Sequence, residues 1–81
     1  MKTKAFGRSK QTASRDGLME MSEITFESSP TDLRAIAAFL TRSAEEIEKH
    51  GSDFGHSHLR DEKNQAPWHS DAVDVIVMPS R

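Results

Sequence analysis

The chain has 81 residues, of which 35% are hydrophobic and 30% charged, and it contains no cysteine. That length supports one domain with a small core and leaves little room for a deep, walled active site. Without cysteine there are no disulfides, thiolate zinc sites or cysteine nucleophiles, a usage that fits a reducing, cytoplasmic setting.

Charge is uneven along the chain. Residues 1 to 15 carry five Lys/Arg and no acid, whereas residues 16 to 81 carry six bases and thirteen acids, which sums to the net −2. The basic start lacks the apolar core of a secretory signal, and no run is long enough to cross a membrane. A domain-wide pI near 6.0 is not an electrostatic footprint for phosphates, so neither nucleic acid nor membrane is expected as a partner.

Residues 1–16 read as a basic strand, "KAFGRS", followed by the polar connector "KQTASRD". The Asp16-Gly17 pair signals a turn into a second strand over 17–28, making a hairpin or long-looped antiparallel pair. In "LMEMSEITFES" Met19 and Met21 share one phase and Ile24 and Phe26 the other. A bulge near Ser22 would reconcile them on one face.

The segment "SSPTDLRAIAAFLTRSAEEIEKHG" predicts a helix over 30–50. Ser29 can cap it, Pro30 fits its first turn, Asp32 suits its positive end and Gly51 its C-terminus. Leu33, Ile36, Ala37, Leu40, Ala44 and Ile47 trace an apolar stripe at offsets of three, four and seven. Glu45, Glu46 and Glu48 read as a solvated face, with mimicry of nucleic acid toward a basic toxin as the sharper alternative.

"GHSHLRD" predicts a strand over 56–61 with His56, His58 and Arg60 on one face and Ser57, Leu59 and Asp61 on the other, Leu59 marking the core side. A loop over 62–71 follows, and "AVDVIVMPS" predicts a strand over 72–79 ended by Pro79. Val73, Val75 and Val77 share one side of that strand, Ile76 and Met78 the other, so it is either interior in a sheet or laid against another subunit. Together these elements predict a single α+β domain of order ββαββ, with one long helix packed on a small, mainly antiparallel four-stranded sheet. One helix covers only one face. The residual apolar surface predicts a homodimer bordered by His56, His58 and Arg60, with the N-terminal segment folding over the second face as the competing account.

The segments "LRAIAAFLTRSAEEIEKHG", "FGHSHLRD" and "DVIVMP" resemble the Immunity protein 32 family of bacterial polymorphic toxin systems, over Leu18 to Pro79. That resemblance implies a small cytoplasmic protein that binds and neutralises a co-encoded toxin.

His56 and His58 project from one side of a strand about 7 Å apart, which lets two imidazoles converge on one ion. A third ligand would have to come from His50, His69, Asp61 or Asp71, none at a recognisable spacing. No metal site is therefore favoured, and if there is one it uses His56 and His58. The plainer reading hydrogen-bonds these histidines to a neighbouring strand or to Glu20. Catalysis by His58 as base, Asp61 orienting it and Ser57 as nucleophile fails because Ser57 points to the opposite face. A pair of His56 with Glu20 lacks a desolvating pocket. Gly7, Gly17, Gly51 and Gly55 are too scattered to cradle phosphates. Trp68 is either folded over the core edge or displayed as an interface anchor.

The expectation is thus a binding protein, neither an enzyme nor a cofactor carrier, that contacts a cognate toxin through His56, His58, Arg60, Trp68 and His69. A small metal-binding or histidine-switch module built on His56 and His58 is the alternative.

Overall fold

The computed structural model of the protein describes residues 2–15, 17–62, 68–69 and 71–80, with only the backbone path for 11–15. In chain order the elements are β1 (Lys4–Arg15), β2 (Leu18–Glu27), α1 (Pro30–His50), β3 (Ser57–His58) and β4 (Ile76–Val77). Single 3₁₀ turns lie at Gly51–Phe54 and Leu59–Asp61. The fold is α+β, one long helix with two antiparallel two-stranded sheets, β1-β2 and β3-β4. None of its helices among the described residues is long and apolar enough to cross a membrane.

The hairpin β1-β2 is longer than its apolar pattern suggested, because the polar connector continues as strand up to Arg15. Strand pairing uses backbone groups, so Ser and Thr do not end it. Ala5 pairs with Phe26, Gly7 with Ile24, Arg8 with Glu23, and then Ser9 with Met21. Two residues of β2 thus advance against one of β1 at Ser22, the bulge that the phases of the methionines required, and the Ser22 hydroxyl donates to Arg8 O at 3.1 Å. The bulge puts Met19, Met21, Ile24 and Phe26 on one face, opposite Ala5, Gly7 and Ser9. The other face holds ion pairs Arg8–Glu23 and Lys10–Glu20. Gly7 is needed for close approach, since a Cβ there would run into Met21 Cε and lie 2.7 Å from Glu23 O.

Helix α1 begins and ends where its signals sit. The Ser29 hydroxyl accepts from Asp32 N at 3.1 Å, Pro30 opens the first turn, and Gly51 at φ 55° ends the helix with its N–H on Ile47 O. Its buried face shares Ile36 with the expected stripe and otherwise departs from it. Ile36, Phe39 and Ser43 are buried, whereas Leu33 and Leu40 are each 44% exposed. Two overlapping apolar arcs run along this helix, and the core takes the one with the aromatic ring. Ile36, Phe39 and Leu59 form that core, with Phe26, Trp68, Val75 and Val77 packed on it. Val75 and Val77 therefore face inward, and Ile76 and Met78 are left outside.

The strands do not join into one four-stranded sheet among the described residues, and the predicted strands 56–61 and 72–79 shrink to two residues each. At Arg60 the backbone N–H goes to the Asp74 carboxylate at 3.0 Å, a side chain competing with the ladder, and the chain turns into 3₁₀ at Leu59. Most of the loop expected over 62–71 lies outside the described residues.

The N-terminus is tied into the domain at Thr3, which is 1% exposed. Its hydroxyl donates to Asp32 Oδ2 at 2.8 Å and lies 2.6 Å from Ser28 Oγ, and its carbonyl accepts from Val73 N at 3.2 Å. Lys2 and Asp71 pair beside it at 2.5 Å. This short segment bridges the helix start and the segment that leads into β4. It does not spread over the exposed side of β3-β4, where Ile76 and Met78 stay uncovered.

Candidate functional site

In the β3-β4 pair Ser57 is opposite Val77 and His58 opposite Ile76. Alternation then places His58 and Ile76 on the outer face while Val77 and Leu59 turn inward, Leu59 being fully buried. The Leu59 N–H donates to Val75 O at 2.8 Å, which holds the two segments in register past the last ladder pair.

His58 is fixed by its neighbour across the sheet. Its Nδ1 lies 2.6 Å from Asp74 Oδ2, and the other carboxylate oxygen accepts from Arg60 N at 3.0 Å. Burial alone would raise the Asp74 pKa. The hydrogen bond from His58, that from the Arg60 backbone and the nearby positive charges outweigh it and hold the carboxyl below its ordinary value. An ionised carboxylate only accepts, so Nδ1 carries the hydrogen of this bond and Nε2 is the ring nitrogen left for another partner.

The His56 ring stands edge-on to that of His58, centroids 5.2 Å apart and planes at 64°. Both line a depression of about 250 Å³ together with Phe39, Ser57, Asp61 and Glu62. Glu62 is held from the helix side by Arg42 Nε at 3.2 Å. Among the described residues no three His, Asp or Glu side chains gather as a metal-holding group.

The five residues singled out as partner contacts fall into two sets. Arg60 donates its guanidinium to Ala72 O at 3.1 Å, and Trp68 donates Nε1 to Val73 O at 2.7 Å while packing on the core. Of the two roles open to Trp68, the structure shows the indole folded over the core edge. His56 and His69 are exposed, and His58 is two-thirds covered with its ring pinned. The plain reading of His58 as a partner to a neighbouring strand holds, with Asp74 in the role offered to Glu20, which pairs with Lys10 instead. Asp61 does not orient His58, and Ser57 stands in the alternate phase of the strand.

Sequence reasoning missed Asp74, although a signal was present. A carboxylate inside "AVDVIVM" cannot stay in an apolar strand without a donor, and the nearest donors of matching phase lie in "HSHLR". Thr3 and Arg42 carried no comparable signal, since their partners lie 29 and 20 residues away.

Chemically, the outer face offers one oriented imidazole beside two exposed apolar side chains, Ile76 at 55% and Met78 at 41%. Such a surface can bury a partner's side chain and give it one directional hydrogen bond. The chain matches no family model, no curated protein and no solved structure.

Proposed function

We propose that the protein is a small cytoplasmic binding protein, an immunity-type inhibitor that neutralises a co-encoded bacterial toxin by direct contact through the outer face of β3-β4. The observation that carries this reading is the exposure of Ile76 and Met78 on the face where Asp74 pins His58. Interfaces draw their affinity from a few apolar anchors whose neighbours are already ordered, because little side-chain freedom is then lost on contact. The resemblance to the immunity family includes "FGHSHLRD" and "DVIVMP", the two segments that build this face. A strand contributed by the toxin along the short β3-β4 pair would widen it toward the four-stranded sheet expected from the sequence. We read no catalytic role for the imidazole, which sits over a shallow depression.

Co-expression tests this. A large secreted-toxin gene with a variable C-terminal domain should lie beside this gene, and cells producing that domain should grow only when this protein is present. An Ile76→Glu, Met78→Glu double variant should bind the toxin domain at least a hundredfold more weakly in calorimetry, roughly 3 kcal/mol. Full protection by the double variant would remove β3-β4 as the contact, and the absence of any toxin gene beside relatives of this one would remove the function itself.

The 5.2 Å approach of the His56 and His58 rings favours one second reading, a metal-binding or histidine-switch module. Micromolar zinc binding that is lost in a His56→Ala, His58→Ala double variant would establish it in place of the inhibitor.

A further inference from the structure

Helix α1 carries a second apolar arc beside the one it buries. Leu33, Ala37, Leu40 and Ala44 are exposed and Ile47 is half-covered, the two leucines at 44% each. Their spacing alternates four and three residues, the 3.5-residue repeat with which one helix keeps a single seam toward another.

The order of residues along this seam indicates what fits it. Outward from Leu40, Ala37 and Ala44 stand three and four residues away and Leu33 and Ile47 seven residues away, so side-chain size runs the same in both directions. One residue further round the helix from each bulky position, on the side away from Ile36, Phe39 and Ser43, lie Arg34, Thr41 and Glu48. Arg34 and Glu48 are exposed and stand seven residues on either side of Thr41. Size is thus symmetric about the middle of the helix while charge is opposite, and Glu45 adds a second acid to the half with Glu48.

That combination is self-complementary under a two-fold axis. An antiparallel second copy sets Leu33 beside Ile47 of the other chain, Ala37 beside Ala44 and Leu40 beside its own counterpart. The alanine pairs let the backbones approach, and Arg34 meets Glu48 at both ends. The centre for size is Leu40 and that for charge is Thr41, a difference of about 1.5 Å in rise, within the reach of an arginine side chain. A parallel copy would instead set Arg34 against Arg34 and Glu48 against Glu48, which is repulsive. A foreign partner gives no reason for the seam to match itself.

We propose that α1 is a dimerisation helix: two copies of this chain pair antiparallel through Leu33, Ala37, Leu40, Ala44 and Ile47, with reciprocal Arg34–Glu48 ion pairs at the rim. One helix against one helix is a small contact, so the pairing is weak, with a dissociation constant between about 1 μM and 1 mM. The seam comes near the face assigned to the toxin at Ile47, which lines a depression with Met78. It does not use Ile76 or His58, and either contact can fail without the other.

Light scattering coupled to size exclusion should show the mass of the full chain rise from 9.1 kDa toward twice that value as it is concentrated from about 1 μM to about 1 mM. Arg34→Glu places like charges at both rim contacts and should weaken the dimer about tenfold. An Arg34→Glu, Glu48→Arg double variant should restore the parent affinity, because the two-fold axis brings the exchanged charges together again. Both positions are exposed, and the exchanged charges suit the two ends of the helix, so neither variant threatens the fold. In the otherwise cysteine-free chain, a bis-maleimide spanning about 8 to 10 Å, the distance between packed helices, should link Leu40→Cys chains into dimers. It should leave Lys49→Cys chains, labelled on the opposite side of the helix, monomeric. A monomer mass at millimolar concentration would overturn the proposal. So would a charge-exchanged variant no tighter than Arg34→Glu alone, or equal crosslinking at positions 40 and 49.

Discussion

The carboxylate of Asp74 holds two groups of the opposite segment at once, the His58 ring at 2.6 Å and the Arg60 backbone N–H at 3.0 Å. One side chain thereby does what two further ladder pairs would have done. It ends the β3-β4 sheet at two residues, turns the chain into 3₁₀ at Leu59 and leaves His58 facing outward with its orientation set.

This arrangement makes acid stability depend on Asp74. Its pKa is lowered in the folded protein, so its contribution is fully present above the unfolded carboxyl value of about 3.9 and is lost as pH falls through the lower folded value. Asp74→Ala should cost about 1 to 3 kcal/mol at pH 7, because the Arg60 N–H and the His58 ring lose their acceptor. Urea melts at pH 7, 4 and 3 should show the gap between parent and variant constant from 7 to 4 and narrowing below. A gap unchanged down to pH 2 would mean the carboxylate charge is not its source.

The helix makes a contrasting pair of predictions. Phe39 is 2% exposed and Leu40, its neighbour, 44%. Phe39→Ala should cost about 3 to 5 kcal/mol, comparable to the whole stability of a small domain. Leu40→Ala should stay within about 1 kcal/mol, since surface substitutions rarely exceed that. Circular dichroism melts of the two variants decide between the arcs, and a larger loss at Leu40 would restore the stripe that runs through Leu33 and Ala37.

The limits of legibility follow the range of the interactions. Helix α1 could be read to the residue because Ser29, Pro30 and Gly51 act within one turn of its ends. The bulge at Ser22 and the inward side of Leu59 were readable because alternation is also local. The buried arc of α1 was legible only at Ile36; the stripe through Leu33, Ala37, Leu40, Ala44 and Ile47 and the arc Ile36-Phe39-Ser43 both satisfy helical spacing, and only tertiary contact with Leu59 separates them. The single four-stranded sheet was expected from strand count. What interrupts the strand after His58 is a carboxylate fourteen residues away from Arg60. Of the site, His56 and His58 were legible as a pair, and the partner that orients one of them was not.

A last prediction concerns the attachment of the N-terminus. Thr3 is almost completely buried, its hydroxyl lies between Asp32 and Ser28, and its carbonyl takes the N–H of Val73. The carbonyl of that same Val73 accepts from the Trp68 indole at 2.7 Å. One residue of the last segment thus joins the N-terminus to the protein's single tryptophan. Thr3→Val keeps the shape of the side chain and removes the hydroxyl, leaving the Asp32 carboxylate without that donor and the Ser28 hydroxyl without that partner, at a cost of about 1 to 3 kcal/mol. If the attachment at Thr3 loosens, Val73 shifts and the indole gains solvent, so Trp68 emission should move to longer wavelength before global unfolding in urea. Thr3→Ser, which retains the hydroxyl, should keep the parent spectrum. Identical emission and melts for Thr3→Val and the parent would show that the hydroxyl contributes nothing and that the N-terminus is held by the Val73 backbone and the Lys2–Asp71 pair alone.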